Sequence, residues 1–349
     1  MNFRTFRDLQ ARIAEWALAL PDEVDLVVGL PRSGLLPATM LALHRQLPMA
    51  DLDGFLAGRV YDGGRRFHAR FGDGAVAAYL DEPRTVLIVD DSIRSGASLA
   101  QVRERIEGAN LPHRVRYGVV YAEPGTEHLV DHYCEVVPTP RAFEWNLMHT
   151  DALLSRCCVD IDGVLCPDPT PAQNDDVEAY LDFVRSAPPL HRPTGLIGWL
   201  VTCRLEKYRA ETEAWLEQRG IRYRQLIMMD YPDAAARRAA GAYGAFKAEA
   251  YTHSEALLFL ESNPRQAREI AERAGRAVYC VGTRELIEPG PLARHRRDGY
   301  EWWSRLGASL RRKVRALFAR PPREAPPSGG SRPAPQASPS GDAPARRSS

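Results

Sequence analysis

Short apolar, β-branched runs alternate with amphipathic stretches along most of the chain. In the first 150 residues the runs are "VDLVVGL", "TVLIVDD" and "RVRYGVVYAE". A second series follows: "RCCVDIDG", "GLIGWLVT", "RQLIMMD", "ALLFLES" and "AVYCVG". Runs of this length, without a polar face, predict strands buried on both sides, as in parallel sheets. Between them, "ASLAQVRERIEGAN" places Leu99, Val102 and Ile106 at helical spacing, and the opening "MNFRTFRDLQARIAEWALAL" has charges spread through an amphipathic helix, unlike a signal peptide. The alternation predicts an α/β protein with two tandem parallel-sheet, Rossmann-like domains. The spacing sets their limits at residues 1–152 and 153–286, followed by a basic amphipathic helix over 287–320 and a Pro/Ser-rich tail over 321–349 that cannot bury a core.

Composition narrows the function classes. A length of 349 residues suits two cores. A formal charge of +1 argues against a nucleic-acid-binding surface. Six cysteines without zinc or disulfide spacing suit a reducing cytosol. No apolar run is long enough to span a bilayer. Between Trp302 and Arg320, however, Trp303, Leu306, Leu310, Val314 and Leu317 form a stripe flanked by Arg305, Arg311, Arg312, Lys313 and Arg315. That pattern describes a helix lying on an anionic membrane or docked on the protein, so the expected location is the cytoplasm, peripheral at the inner face of its membrane.

Two motifs carry chemistry in the first series. After the strand of "TVLIVDD", Asp90 and Asp91 precede Arg94, Ser95, Gly96, Ala97 and Ser98. Backbone N–H groups, hydroxyls and a helix N-terminus suit a phosphate, while the carboxylates suit hydroxyl groups or a magnesium ion beside it. Upstream, Gly29, Pro31, Arg32, Ser33 and Gly34 form a tight strand-to-helix loop. These two segments, in this order, resemble the PRPP-binding loops of type I phosphoribosyltransferases. The resemblance implies that Asp90 and Asp91 face the ribose hydroxyls, that residues 94–98 cradle the 5-phosphate, and that the loop from Gly29 to Gly34 holds the diphosphate. Arg94 and Ala97 depart from the residues common there. Between the loops, Arg65, Arg66 and Arg70 lie in a Gly-rich segment similar to the family's mobile catalytic loop, where they would neutralise the leaving diphosphate. Phe143, Glu144 and Trp145 combine aromatic faces with a carboxylate, which suits a stacked base, a sugar acceptor, or packing at the domain junction.

In the second series, Asp160 and Asp162 end a buried strand, and two carboxylates two residues apart on extended chain point the same way. With Thr202, Lys247 and Glu261 they resemble the motifs of haloacid dehalogenase-like (HAD) phosphatases. The resemblance implies that Asp160 attacks phosphorus, Asp162 is the acid/base, Lys247 neutralises charge, and Asp160, Asp162 and Glu261 hold Mg2+. Ser262 stands where a second acid is common. Together the domains resemble two-domain phosphoribosyltransferase/phosphatase proteins that add ribofuranose to bacterial glycans. The implied partners are PRPP and a glycan, lipid-linked, as acceptor. A nucleobase acceptor, and a non-catalytic PRPP-binding scaffold, are the alternatives.

Overall fold

The computed structural model describes residues 1–61, 68, 69, 72, 78–175 and 177–290. Arg65, Arg66, Arg70, the basic segment beyond residue 290 and the Pro/Ser-rich tail lie outside the described residues. Strands are numbered β1 to β13 as they are introduced; helices are given by their residues.

The chain opens with β1 (Asn2–Arg4) and a helix over Phe6–Ala19. Thr5 starts that helix through a reciprocal cap: its hydroxyl accepts the Asp8 N–H and its own N–H reaches the Asp8 carboxylate. Next come β2 (Leu26–Gly29), β3 (Met49–Asp51), β4 (Thr85–Ile93), β5 (Arg114–Ala122) and β6 (His132–Val136). They form a five-stranded, wholly parallel sheet in the order β3-β2-β4-β5-β6. Alternation decides which face each residue covers. Val27, Leu87 and Val89 meet the helices Phe6–Ala19 and Leu35–Arg45, whereas Leu26, Val28, Val86 and Ile88 meet Leu52–Leu56 and Ala97–Gly108.

β7 (Arg141–Phe143) pairs in parallel with β1. A second sheet then contains β8 (Cys157–Val159), β9 (Ile197–Leu205), β10 (Tyr223–Met229), β11 (Leu258–Glu261), β12 (Val278–Cys280) and β13 (Glu285–Ile287). Its order is β10-β9-β8-β11-β12-β13, parallel except for the antiparallel last pair. Helices Val177–Ser186 and Arg209–Gln218 cover one face, and Tyr243–His253 and Pro264–Ala274 the other.

Both sheets belong to one compact unit. The β1–β7 ribbon joins them, because Phe3 and Ala142 share a core with Leu258 and Leu260, and the Phe3 ring lies 4.9 Å from that of Tyr279. Two expected strands run further than their patterns suggested. β4 continues through Asp90 and Asp91 to Ile93, because β5 stays paired beside it as far as Ala122. β9 likewise passes Thr202 and ends at Leu205, which is still opposite Met229.

Candidate active sites

In each sheet the strand order reverses once, between β2 and β4 in the first and between β8 and β11 in the second. Loops that leave neighbouring strands in opposite directions open a crevice at such a point. In the first sheet Gly29 lies opposite Val89, so the loop after β2 and the carboxylates of β4 emerge at one level. Gly34 closes that loop against the strand: a Cβ there would stand 2.6 Å from the Val89 carbonyl oxygen and 2.8 Å from Asp90 Oδ1. Only glycine fits. The Pro31–Arg32 peptide is cis, and Arg32 is exposed.

The two carboxylates have different surroundings. Asp91 is 4% exposed, and both its oxygens are engaged: Ser33 Oγ donates to Oδ1 at 2.9 Å and Trp145 Nε1 donates to Oδ2 at 2.6 Å. It therefore ties the loop after β2 to the segment after β7. Asp90, half-buried, accepts the Asp91 N–H at 2.8 Å through Oδ1. Burial and then the Asp91 charge push its carboxyl up to about 8. Residues Arg94, Ser95, Ala97 and Ser98 are exposed beyond the strand. Gly96, with φ 80°, caps the helix Ala97–Gly108, whose first N–H groups are directed into the loop. Arg141 supports the same turn, donating to the Ile93 carbonyl at 2.8 Å and pairing with Glu123 at 3.2 Å.

Phe143 and Glu144 are engaged in the fold. Phe143 is 8% exposed, stacked between Tyr121 and Trp145 with centroids 5.2 and 5.0 Å away, so no ligand ring can lie on it. Glu144 accepts the Phe6 N–H at 2.7 Å and the Tyr279 hydroxyl. That places it at the start of the first helix, a favourable end for a negative charge.

In the second sheet Lys247 reaches the crevice from the helix Tyr243–His253. Its three N–H donors go to Asp160 Oδ2 at 2.7 Å, Glu261 Oε2 at 2.7 Å and Gln266 Oε1 at 2.9 Å. Gln266 is held on the first turn of the helix Pro264–Ala274, which starts with an Asn263 cap and proline at its first position. Asp160 Oδ1 accepts the Ile161 N–H, and Glu261 Oε1 accepts those of Ser262 and Asn263. Burial pushes Asp160 up to about 8, with Lys247 opposing and Glu261 and Asp162 adding to the push. Burial lowers Lys247, but the surrounding anions, Asp160 first, outweigh it and hold the ammonium protonated. Thr202 is fully buried, and its hydroxyl accepts the Arg204 N–H at 3.2 Å.

Asp162 is gripped by Arg204, a residue the sequence motifs passed over. Nη2 and Nε donate to Oδ1 at 2.7 and 3.1 Å, and Nε approaches Oδ2 at 3.2 Å. Arg204 is 0% exposed and lies 5.9 Å from the rings of both Phe183 and Trp215. Gly163, with φ 79°, explains why position 262 holds a small residue: a Cβ on Gly163 would be 2.2 Å from Ser262 Oγ and 3.0 Å from Asp168 Oδ2. The loop lies too close for a longer acid at 262. Asp168 was also missed; burial, then the charges of Asp162 and Glu261, push its carboxyl up. Among the described residues, no group of three carboxylate, histidine or cysteine side chains is arranged as a ready metal cage.

Comparison with known families bears on the first of these sites. Residues 4–154 match the phosphoribosyl transferase domain. Solved structures similar to the chain include a purine phosphoribosyltransferase from Pyrococcus horikoshii, at 18% identity and a TM-score of 0.31, covering 41% of this chain and 92% of that one. A xanthine-guanine-hypoxanthine phosphoribosyltransferase from Helicobacter pylori gives 12% identity and a TM-score of 0.29 over 42% of this chain and 92% of that one. TT1426 from Thermus thermophilus gives 22% and 0.28 over 41% and 88%. No curated protein matches the chain. The matched residues thus span the whole first crevice, from Gly29 to Trp145, and the Asp160 cluster lies beyond them.

Proposed function

We propose that the chain transfers the 5-phosphoribosyl group of PRPP to a hydroxyl of a glycan acceptor at the first crevice and removes the 5-phosphate at the second. One observation carries this reading: a phosphoribosyl transferase domain and a buried Asp160–Lys247–Glu261 cluster, suited to phosphoryl chemistry, share one compact unit. The product of the first reaction retains a phosphate, and the second cluster has the groups to remove it.

At the first crevice the loop after β2 offers Arg32 and backbone N–H groups to the diphosphate, and residues 94–98 offer hydroxyls and a helix N-terminus to the 5-phosphate. Asp90 is the carboxylate left to accept ribose hydroxyls, since Asp91 is occupied in holding Ser33 and Trp145. Charge that develops on the departing diphosphate is met by Arg32.

At the second crevice Asp160 is the nucleophile toward phosphorus and Lys247 offsets charge on the phosphoryl oxygens. Asp162 is oriented by Arg204, and its Oδ2 has a single contact at 3.2 Å. That oxygen is placed to give a proton to the leaving alcohol and to take one from the water that follows. Magnesium fits this donor set in its chemistry, since Asp160, Asp162 and Glu261 are carboxylates, hard oxygen donors brought to one crevice. Asp160, Asp162 and Glu261 would hold it, and when bound it supplies charge neutralisation at the phosphoryl group. A lipid-linked acceptor at the membrane surface is supported by the apolar stripe and arginines between Trp302 and Arg320. Among the described residues no helix is long and apolar enough to cross a membrane.

The test is product mass. The protein is incubated with PRPP, Mg2+ and either oligosaccharide or nucleobase acceptors. Asp160→Asn is expected to stop at a phosphoribosylated glycan, whereas the parent protein delivers the ribosylated one. Adducts on nucleobases alone would replace the glycan reading. Parental yields of the dephosphorylated product from Asp160→Asn would remove Asp160 from its role.

A further inference from the structure

Among the described residues three cations are buried around the second sheet, and two have carboxylate partners. Lys247 meets Asp160 and Glu261, and Arg204 meets Asp162. The third is Arg237, on the short helix Ala234–Ala240 and 7% exposed. Nη1 donates to the Cys203 carbonyl at 2.8 Å and Nη2 to Asn174 Oδ1 at 2.9 Å, and the guanidinium lies 6.0 Å from the Tyr243 ring. The Tyr180 hydroxyl is close enough to feel its charge. All of these partners are neutral. Its Nε is buried with no acceptor, and no carboxylate stands within ion-pair distance among the described residues. Guanidinium stays charged at any pH at which a protein folds, so burial without an anion is costly.

Position suggests what anion is missing. The Cys203 carbonyl that Arg237 holds is one residue beyond Thr202 on β9. The Cys203 side chain lies in the fields of Lys247, Asp160, Glu261 and Arg237 together, and Tyr180 in those of Asp162, Arg204 and Arg237. Arg237 therefore lies between β9, one residue beyond Thr202, and Tyr243 at the start of the helix that carries Lys247. A planar guanidinium with an unused N–H is well matched to a phosphate oxygen. We propose that Arg237 is an oxyanion receptor of the second site, its unused Nε–H donating to a phosphoryl oxygen of the substrate. This rests on the reading of the Asp160 cluster as a phosphoryl-transfer site. It extends that reading by adding a binding residue and by requiring a substrate whose anion balances a buried charge.

The test uses the full chain with Mg2+ and p-nitrophenyl phosphate, whose hydrolysis reports the second site alone. Inorganic phosphate is titrated as an inhibitor. Arg237→Met is expected to raise the inhibition constant about tenfold or more, the loss of one charge-assisted hydrogen bond. Arg237→Lys, which keeps the charge, should recover most of that affinity. In the absence of anion, the thermal midpoint of Arg237→Met should be no lower than that of the parent, because a buried charge with no carboxylate partner among the described residues has been removed. An inhibition constant within roughly twofold of the parent, most plainly with a lowered midpoint, would make Arg237 a structural tie and overturn the proposal while leaving Asp160 in its role. Absence of hydrolysis by the parent protein would overturn the Asp160 reading and this inference together.

Discussion

At the scale of single residues, the adjacent aspartates of the first crevice have separate tasks. Asp91 is fixed by Ser33 and Trp145. Trp145→Phe leaves a buried carboxylate oxygen without its donor, at a cost of about 1–3 kcal/mol. Its effect should appear as a KM for PRPP raised by roughly tenfold with a smaller change in kcat, since the lost contact helps to hold the loop after β2 through Asp91 and Ser33. An unchanged KM in steady-state assays would count against it. Asp90 predicts a pH effect. Its carboxyl is held at about 8 against an ordinary 3.8. The folded state therefore binds the proton more tightly, and the stability this provides is full below the ordinary value and lost as pH rises through about 8. Asp90→Asn carries no titrating group, so its stability relative to the parent should increase between pH 5 and pH 8 in urea titrations. A constant difference would refute the shift. None of these tasks could be read along the chain. The motif places two acids side by side, but Trp145 is 54 positions from Asp91, and only the fold shows which acid the indole engages.

At the scale of elements, the eight longer apolar runs all appear as strands, since each carries enough consecutive buried positions to be distinguished from a loop. β1, β3, β6, β7 and β13 were not legible, because none is buried along its whole length, whereas the equally short β8 and β12 are buried at every position. Similarly, the loop glycines and the paired acids were visible as motifs, whereas Arg204, Arg237 and Asp168 acquire significance only from the neighbours that folding brings to them. The helix Tyr243–His253 illustrates the same point energetically. Its one buried charge, Lys247, joins β8 to β11 by neutralising an acid on each side. Lys247→Met should destabilise the protein by about 3–5 kcal/mol in chemical unfolding, because two buried carboxylates lose their counter-ion. Adding Asp160→Asn should restore part of the loss. If the double variant were the less stable of the two, repulsion between Asp160 and Glu261 would not be the cause.

At the scale of the whole molecule, the two sheets are joined by the first few residues of the chain. Phe3 is 4% exposed and packs against Tyr279 in the core beneath the second sheet, while its strand pairs with β7. The parent protein is expected to unfold in one calorimetric transition. Phe3→Ala, a core truncation worth about 3–5 kcal/mol, should separate the transition into two as the sheets lose their common contact; a single, uniformly shifted peak would show that other contacts are enough to couple them. The same ribbon has a consequence for how the protein is made. Ribosomes add roughly 5–20 residues per second, so Phe3 is synthesised about 14–55 s before the Tyr279 it packs against. During that interval β1 can already pair with β7, but the Phe3 ring lacks Tyr279 and stays open to chaperones and to neighbouring chains on the same polysome. A side chain translated early thus receives its last contact only when the second sheet is complete.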